Sequence, residues 1–364
     1  DFLFEASNYK GVPASTFPSN NEPYLDALKK YFAAPKIYAV QLKKFYALGG
    51  SNFITNGNVA ISHDKFDILT DLTSEEINQK LVFFPNKKQL AFTSPLQKIF
   101  TVAEAVNFLD ACSNNYAHWL TEVLPRIVAF MENSAFSNFT LLIDEGLHPN
   151  ILESLFTVVG HKHKIIFVTA GCFIFAERLM VVSVAGYAPF GLRNHSKTDS
   201  YYLNQAFNQP ALRKLRLVCM RNTKVKAKRE FPKLVYLSRG RKTRSVENED
   251  EIKLTLVQYG FTIIDIDSLS FPEQIALFNT ALKIVTPTGA VLANMLFASK
   301  NTHCYVLFPK SKIANYDYWL NIAAVNSVKL TYILGALKDE HLEYQSDYYV
   351  VVKELLNALG LNDM

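Results

Sequence analysis

Several features are scarce in these 364 residues, and each scarcity excludes something. The cysteines are four, Cys112, Cys172, Cys219 and Cys304, with no C-x-x-C pair among them. Several stand in apolar surroundings and read as buried free thiols, not as a zinc site or a disulfide frame, which favours a reducing compartment. Glycine and proline number 14 each, too few for a fibrous or disordered chain. No apolar run approaches the roughly 18 residues of a membrane span. Both G-x-G-x-x-G and G-x-x-x-x-G-K-[ST] are missing, so neither a dinucleotide fingerprint nor a P-loop is supported. A dedicated Mg2+ or Mn2+ site would need clustered carboxylates. The nearest candidate, Ile264–Asp267, reads as a strand end with a turn. No signal peptide is visible at Asp1, but the chain lacks an initiator Met, so targeting stays open.

What is present points to a globular α/β protein. Hydrophobic residues make up 49% and charged residues 20%, with 27 Phe and 18 Tyr, enough to bury a core, and the length suits two domains. A net charge of +5 suits an anionic ligand or an acidic membrane surface. Lys and Arg are too dispersed for a nucleic-acid binder. One basic run, Arg213–Glu230, has two readings. A solvated helix face or linker is preferred, and contact with anionic lipid head groups or a polyanionic acceptor is the alternative.

The pattern along the chain divides it. Asn56-Gly57 within Asn52–Phe66 signals a hairpin, and the apolar stretches flanking Asn86-Lys87-Lys88 read as two more strands. From about residue 104 short apolar runs alternate with helical patterns, the grammar of a parallel sheet with helices on its faces. The expected organisation is an N-terminal domain over 1–195, β-rich and then α/β, which the resemblance described below would place on the acceptor side, a basic helical connection over 196–232 and an α/β domain over 233–340. A final helix within 341–364 would pack back on the N-terminal half. Open α/β sheets bind ligands at the carboxyl ends of their strands, so a cleft between the two halves is the expected site.

Three stretches can carry chemistry. In Thr286–Phe297 a strand gives way to a helix at Gly289 and Ala290, where unpaired N–H groups and the positive end of the helix would favour a phosphate. The plain alternative is a packed strand-to-helix turn. In Val235–Ile252 a strand delivers Arg239 to its end, with Arg241, Lys242 and Arg244 in the following loop. Arg forks suit phosphate oxygens. The acidic run Glu247, Glu249, Asp250 and Glu251 reads as helix capping and dipole pairing. In Asn114–Phe130, His118 and Glu122 stand four apart on one helix face, and Pro125 should kink the helix by removing the N–H that would reach Thr121. Such a pair can accept a proton, although a satisfied core histidine is the commoner occupant of such a position. Asn138-Phe139-Thr140 and Asn194-His195-Ser196 fit a short glycosylation pattern that also arises often by chance.

Taken together, "NYAHWLTEVLPRI", "YLSR" with the later "RSVENEDEI", "GFTIIDIDSLSFPEQIALFNTA" and "TGAVLANMLFA" resemble glycosyltransferase family 61 in order and approximate spacing, from about Val106 to Pro309. The resemblance implies a GT-B-like fold: two Rossmann-like doubly wound halves with a cleft between them, preceded here by a β-rich N-terminal extension. It implies inverting transfer from a nucleotide-diphosphate sugar without a bound metal or other cofactor. Carried over by position, Arg239, Arg244, Thr288, Gly289 and Ala290 would handle the diphosphate, with Asn294 supporting the loop. His118 and Glu122 would be catalytic, either one the base, and Asn115, Tyr116 and Trp119 would lie on the acceptor side. One departure stands out: Thr288 occupies the place where the family usually has His. An altered or inactive member, or a non-catalytic carbohydrate-binding or nucleotide-sugar-binding domain, is the competing expectation. Partners would be a nucleotide sugar, by default a UDP-sugar, and a glycan or lipid-linked saccharide acceptor, with peripheral membrane contact. Composition and family habit suggest bacterial surface polysaccharide synthesis, such as capsule or lipopolysaccharide, in the cytoplasm or at the inner membrane face; a secretory-pathway setting is the alternative.

Overall fold

The computed structural model describes residues 2–10, 14–18, 31–34, 36–62, 81–84, 89–92, 97–160, 163–187, 206–223, 230–240, 244–311, 314 and 316–361. Arg241, Lys242, Asn194–Ser196, the tip at 86–88 and parts of the 196–232 connection lie outside these residues. The chain divides into two compact units, Asp1–Asn8 with Ala33–Cys219, and Tyr9–Phe32 with Met220–Met364.

Strands near the N-terminus are distributed among several ladders. β1 (Phe2–Phe4) pairs antiparallel with β5 (Ile37–Leu48). β2 (Ser7–Lys10) forms a ladder with β4 (Tyr31–Ala34), and β3 (Ala14–Phe17) belongs to the second unit's sheet. β6 (Phe53–Thr55) and β7 (Ala60–Ser62) make the expected hairpin on β5. Gly57, at φ 93°, turns its loop, and Asn56 closes it by accepting from the Asn58 and Val59 amides. β8 (Leu81–Phe84) and β9 (Gln89–Phe92) form the second antiparallel pair.

The first unit's sheet has, among the described residues, the order β12-β11-β10-β13-β5-β6-β7 with β1 also on β5. Here β10 is Gln97–Asn107, β11 Thr140–Asp144, β12 Ile165–Val168 and β13 Cys172–Val182. These four run parallel, and β13 pairs antiparallel with β5. The β-rich start is therefore an extension of this sheet. β11 is buried along its whole length, as a strand covered on both faces must be, and its Thr-Leu-Leu-Ile sequence has no polar alternation. Counted along the parallel strands, the order is 3-2-1-4, a Rossmann-like arrangement whose order reverses between β10 and β13. Helix α1 over 116–131 follows β10, and α2 (Pro149–Val159) follows β11. β14 (Gly186–Tyr187) and β15 (Ala206–Phe207) form a short antiparallel pair before α3 (Gln209–Thr223).

The second unit is a seven-stranded sheet among the described residues, in the order β17-β16-β18-β19-β20-β21 with β3 on β20. Its strands are β16 (Leu234–Ser238), β17 (Thr262–Asp265), β18 (Lys283–Pro287), β19 (His303–Pro309), β20 (Lys329–Leu337) and β21 (Tyr348–Tyr349). All pairings are parallel except that of β20 with β21. The five main strands read 2-1-3-4-5, doubly wound, with the switch between β16 and β18. Helices α4 (Glu249–Gln258), α5 (Phe271–Thr280) and α6 (Asp317–Asn326) join successive strands. Ser270 and Glu273 form a reciprocal capping box that starts α5.

Two expectations are corrected. Residues 9–32 cluster with the second unit because β3 extends the parallel ladder of β20. The C-terminal helix, α7 (Val352–Leu359), packs into the second unit, where Leu355 and Leu359 join Tyr236, Ile252 and Val285 in one core. The boundary between the units, Cys219 to Met220, falls in α3 inside the 196–232 segment. All four cysteines are free; Cys219 and Cys304 are buried as expected, while Cys112 and Cys172 are partly exposed. Among the described residues no helix is long and apolar enough to cross a membrane.

Candidate functional site

In the second unit the switch point between β16 and β18 gathers the expected phosphate-binding groups. Arg239 follows β16, and its Nη1 donates to the Thr288 carbonyl at 2.9 Å. Burial, and then the charge of Arg244, lower the Arg239 pKa. Gly289 lies under Arg239: a Cβ there would stand 2.5 Å from Nη1. Its φ of 170° and ψ of 174° are open to any residue, so glycine is required here for close approach and not for backbone conformation.

The helix expected after Gly289 is a 3-10 helix, Ala290–Phe297, not an α-helix. Its first internal bond runs from the Leu292 N–H to the Gly289 carbonyl. The amides of Gly289, Ala290 and Val291 thus precede the helical bonding pattern, as at any helix start. Five of the last six residues of this segment are apolar and all six are buried, which draws it into the sheet packing. Asn294 is fully buried and donates from Nδ2 to Gln274 Oε1 at 2.8 Å, while Gln274 Nε2 donates to the Ile266 and Leu269 carbonyls. Its side chain ties the segment to α5 and to the turn before it.

Thr288, at the family's usual His position, is buried. Its Oγ1 accepts from Trp319 Nε1 at 3.3 Å, and its N–H donates to the Leu307 carbonyl at 2.9 Å. Thr288 therefore contributes its carbonyl to Arg239 and its hydroxyl to the packing of α6. Glu249 has a role beyond helix capping. It accepts from Tyr236 Oη at 3.0 Å and Ser238 Oγ at 3.2 Å and pairs with Lys253 at 3.2 Å, joining α4 to β16 just before Arg239. Burial and the Glu249 charge push the Tyr236 hydroxyl pKa well up, so it stays a donor.

In the first unit α1 starts at the carboxyl end of β10, beside that sheet's own switch point. It is α-helical at Tyr116–His118, widens to a π-helix at Trp119–Val123 and resumes as an α-helix at Leu124–Met131. Pro125 removes the N–H that would bond Thr121, which accounts for the widening. Thr121 bonds back instead, its Oγ1 donating to the Ala117 carbonyl at 2.8 Å. Gly186 approaches the Thr121 carbonyl: a Cβ there would be 3.1 Å from it and would strike the Phe207 ring.

His118 Nδ1 and Glu122 Oε1 are 2.6 Å apart, so the expected pair is formed. The His118 side chain is 1% exposed and that of Glu122 16%, so the carboxylate is the member open to solvent. Asn115 caps the helix by accepting from the Ala117 amide and is exposed, and Tyr116 is partly buried. Trp119 is completely buried, with Nε1 donating to Ser154 Oγ at 2.8 Å. It occupies the core against α2, so no face of its ring is available to an acceptor.

Sequence reasoning missed a buried polar cluster beneath α1. Arg126 donates from Nη2 to the Asn107 carbonyl at 3.2 Å and pairs from Nη1 with Asp110 at 3.4 Å. Asp144, at the end of β11, accepts from the Gly50 amide at 2.6 Å and the Asp110 amide at 2.9 Å. Burial raises its pKa to about 6 against these bonds. The available signal was a carboxylate ending an otherwise apolar strand. Among the described residues no three His, Cys, Asp or Glu side chains group as a metal site.

Two Rossmann-like sheets, with Arg239 at one switch point and a histidine–carboxylate pair beside the other, suit a group-transfer enzyme. The sequence of glycosyltransferase family 61 matches residues 116–305, from the start of α1 into β19 and just over half of the chain. The chain belongs to glycosyltransferase family 61. No curated protein matches it.

Proposed function

We propose that the protein is an inverting glycosyltransferase whose second unit holds a nucleotide-diphosphate sugar and whose first unit supplies the base. A GT-B arrangement, donor on the second unit and acceptor on the first, belongs to the same proposal. The observation that carries it is Arg239, held on the Thr288 carbonyl and directly against Gly289 at the carboxyl ends of β16 and β18, with the Arg244 charge acting on it.

The acceptor, a hydroxyl of a glycan or lipid-linked saccharide, attacks the anomeric carbon as the bond to the diphosphate breaks, inverting that centre. The departing diphosphate carries the electron pair, and the guanidinium groups and helix-start amides stabilise its growing charge, a contribution of about 3–4 kcal/mol per well-placed donor. The hydroxyl proton passes to Glu122, which is the more exposed of the pair, while His118 orients it. Transfer without a metal, a UDP-sugar donor and work at the cytoplasmic face in bacterial surface polysaccharide assembly complete the proposal. The Thr288 side chain, engaged with Trp319, leaves the backbone groups around it in place for donor binding despite the replaced His.

The test is release of UDP from a panel of UDP-sugars by purified protein, with and without EDTA, and with the product anomer read by NMR once an acceptor is found. Release that survives EDTA and is lost in Arg239→Ala supports the proposal. UDP binding without release favours the binding module, and no UDP binding contradicts both.

A further inference from the structure

Residues beyond the family-matched span hold Arg244 in an unusual setting. Arg244 has φ 62°, the left-handed region that a side chain with a Cβ adopts only when its surroundings dictate it. The next residues are stitched to the C-terminal segment. The Ser245 N–H donates to Asp347 Oδ1 at 2.7 Å, the Tyr348 N–H to the Ser245 carbonyl at 3.0 Å and the Glu247 N–H to the Tyr348 carbonyl at 2.9 Å. Asn248 bonds Val350 through both its side-chain nitrogen and oxygen.

Just before this seam lies the 3-10 turn Glu340–Gln345, in which Glu343 is itself left-handed at φ 46° and accepts from Ser311 Oγ at 2.7 Å. The residue it presents is Tyr344, whose ring lies 4.6 Å from the Arg244 Cζ, with Phe308 at 5.5 Å behind. Arg244 has no ion pair among the described residues, and its buried Nε lacks a hydrogen-bond partner. An arginine retained for structure alone would normally be tied to a carboxylate or to carbonyls. This one is fixed by an aromatic face, which orients the cation without neutralising it.

We propose that Tyr344 is a positioning residue for donor binding: its ring, carried by the 340–348 segment, holds the Arg244 guanidinium beside Arg239 so that the two present a preorganised doubly cationic seat for a diphosphate. This rests on the donor-site reading above. The seat takes charge, not base or sugar, so inorganic pyrophosphate is a sufficient probe.

The experiment is calorimetric titration of the full chain with pyrophosphate. Tyr344→Leu should bind about tenfold more weakly than wild type, and Tyr344→Phe should restore wild-type affinity. The double variant Tyr344→Leu with Arg244→Ala should bind no worse than Arg244→Ala alone, because the ring acts through that arginine; a merely structural role would add its loss. Should Tyr344→Leu fail to fold, 3,4,5-trifluorophenylalanine at position 344, which keeps the shape of the ring and weakens its negative face, should bind more weakly than phenylalanine there. Equal affinity for the Leu or the fluorinated variant, with wild type binding, overturns this proposal alone. Absence of pyrophosphate binding by wild type overturns it together with the donor-site reading.

Discussion

Adding one methyl group at Gly289 should disable donor binding while leaving the fold in place. Alanine suffers no backbone strain at φ 170° and ψ 174°. Its Cβ would stand 2.5 Å from Arg239 Nη1, 3.5 Å from Cζ and 3.6 Å from Cδ. Ordinary contact is about 3.5–4.0 Å, so the guanidinium must retreat by about 1 Å and release its 2.9 Å bond to the Thr288 carbonyl. The colliding atoms are the far end of a flexible side chain with access to water, so the stability lost is about 1 kcal/mol, a few degrees in Tm for a domain of this size. Affinity should fall further. Losing a hydrogen bond from a charged donor to phosphate costs about 1.5–3 kcal/mol, about 10- to 150-fold in Kd. Calorimetric titration with UDP and a thermal melt measure the two effects. Arg239→Ala should weaken UDP binding similarly, and the double variant should be no weaker than Arg239→Ala, because both changes remove one contact. Wild-type UDP affinity in Gly289→Ala would refute the reasoning, as would additive losses in the double variant.

Glu122→Gln should lower turnover by about 10²- to 10⁴-fold and His118→Ala should lower it too, with UDP affinity unchanged in titration for both. Thr288→Val should strand the buried Trp319 N–H at a cost of about 1–3 kcal/mol in urea unfolding, yet bind UDP like wild type, because the backbone at 288 is kept. Asp144 gives a pH signature. Its folded pKa is raised from 3.8 to about 6, so the folded state holds this proton more tightly than the unfolded chain. The resulting stability is fully present below 3.8 and is lost as the pH rises through about 6, a span worth about 3 kcal/mol. Asp144→Asn removes that titration, so its unfolding free energy should gain on wild type by roughly this amount between pH 4 and pH 7.

Much of the second unit was legible because its signals are local. Apolar runs such as Leu234–Ser238 and Thr262–Asp265, each followed by a helical stretch, specify strand and helix in alternation, and the parallel sheet with its switch point follows from them. The placement of β3 was not legible. Ala14–Phe17 is a short stretch with no distinctive pattern, and its pairing with β20 spans most of the chain. Likewise α7 reads as an amphipathic helix wherever it docks; its partners Tyr236 and Ile252 are fixed only by the fold. Pro125 announced a disturbance in α1, but whether the helix would kink or widen depends on Thr121 and on Gly186 some sixty residues later.

For the site, the arginines and Gly289 were recognisable because a strand end and a helix start are each visible in sequence. Trp119 was not, since burial against Ser154 is a tertiary fact that gives an aromatic residue in a family motif a packing role. Tyr344 lies outside every motif and meets Arg244 only through the seam between 245–248 and 347–350. Asp144 became visible only when its backbone donors from Gly50 and Asp110 were in place.

The most direct measurement is the crystal structure of the protein with UDP bound. The account predicts the diphosphate at the carboxyl ends of β16 and β18, with oxygens on the Arg239 and Arg244 guanidinium groups and on the Ala290 amide. A well-ordered UDP bound elsewhere, with Arg239 still on the Thr288 carbonyl and nothing against Gly289, would contradict it.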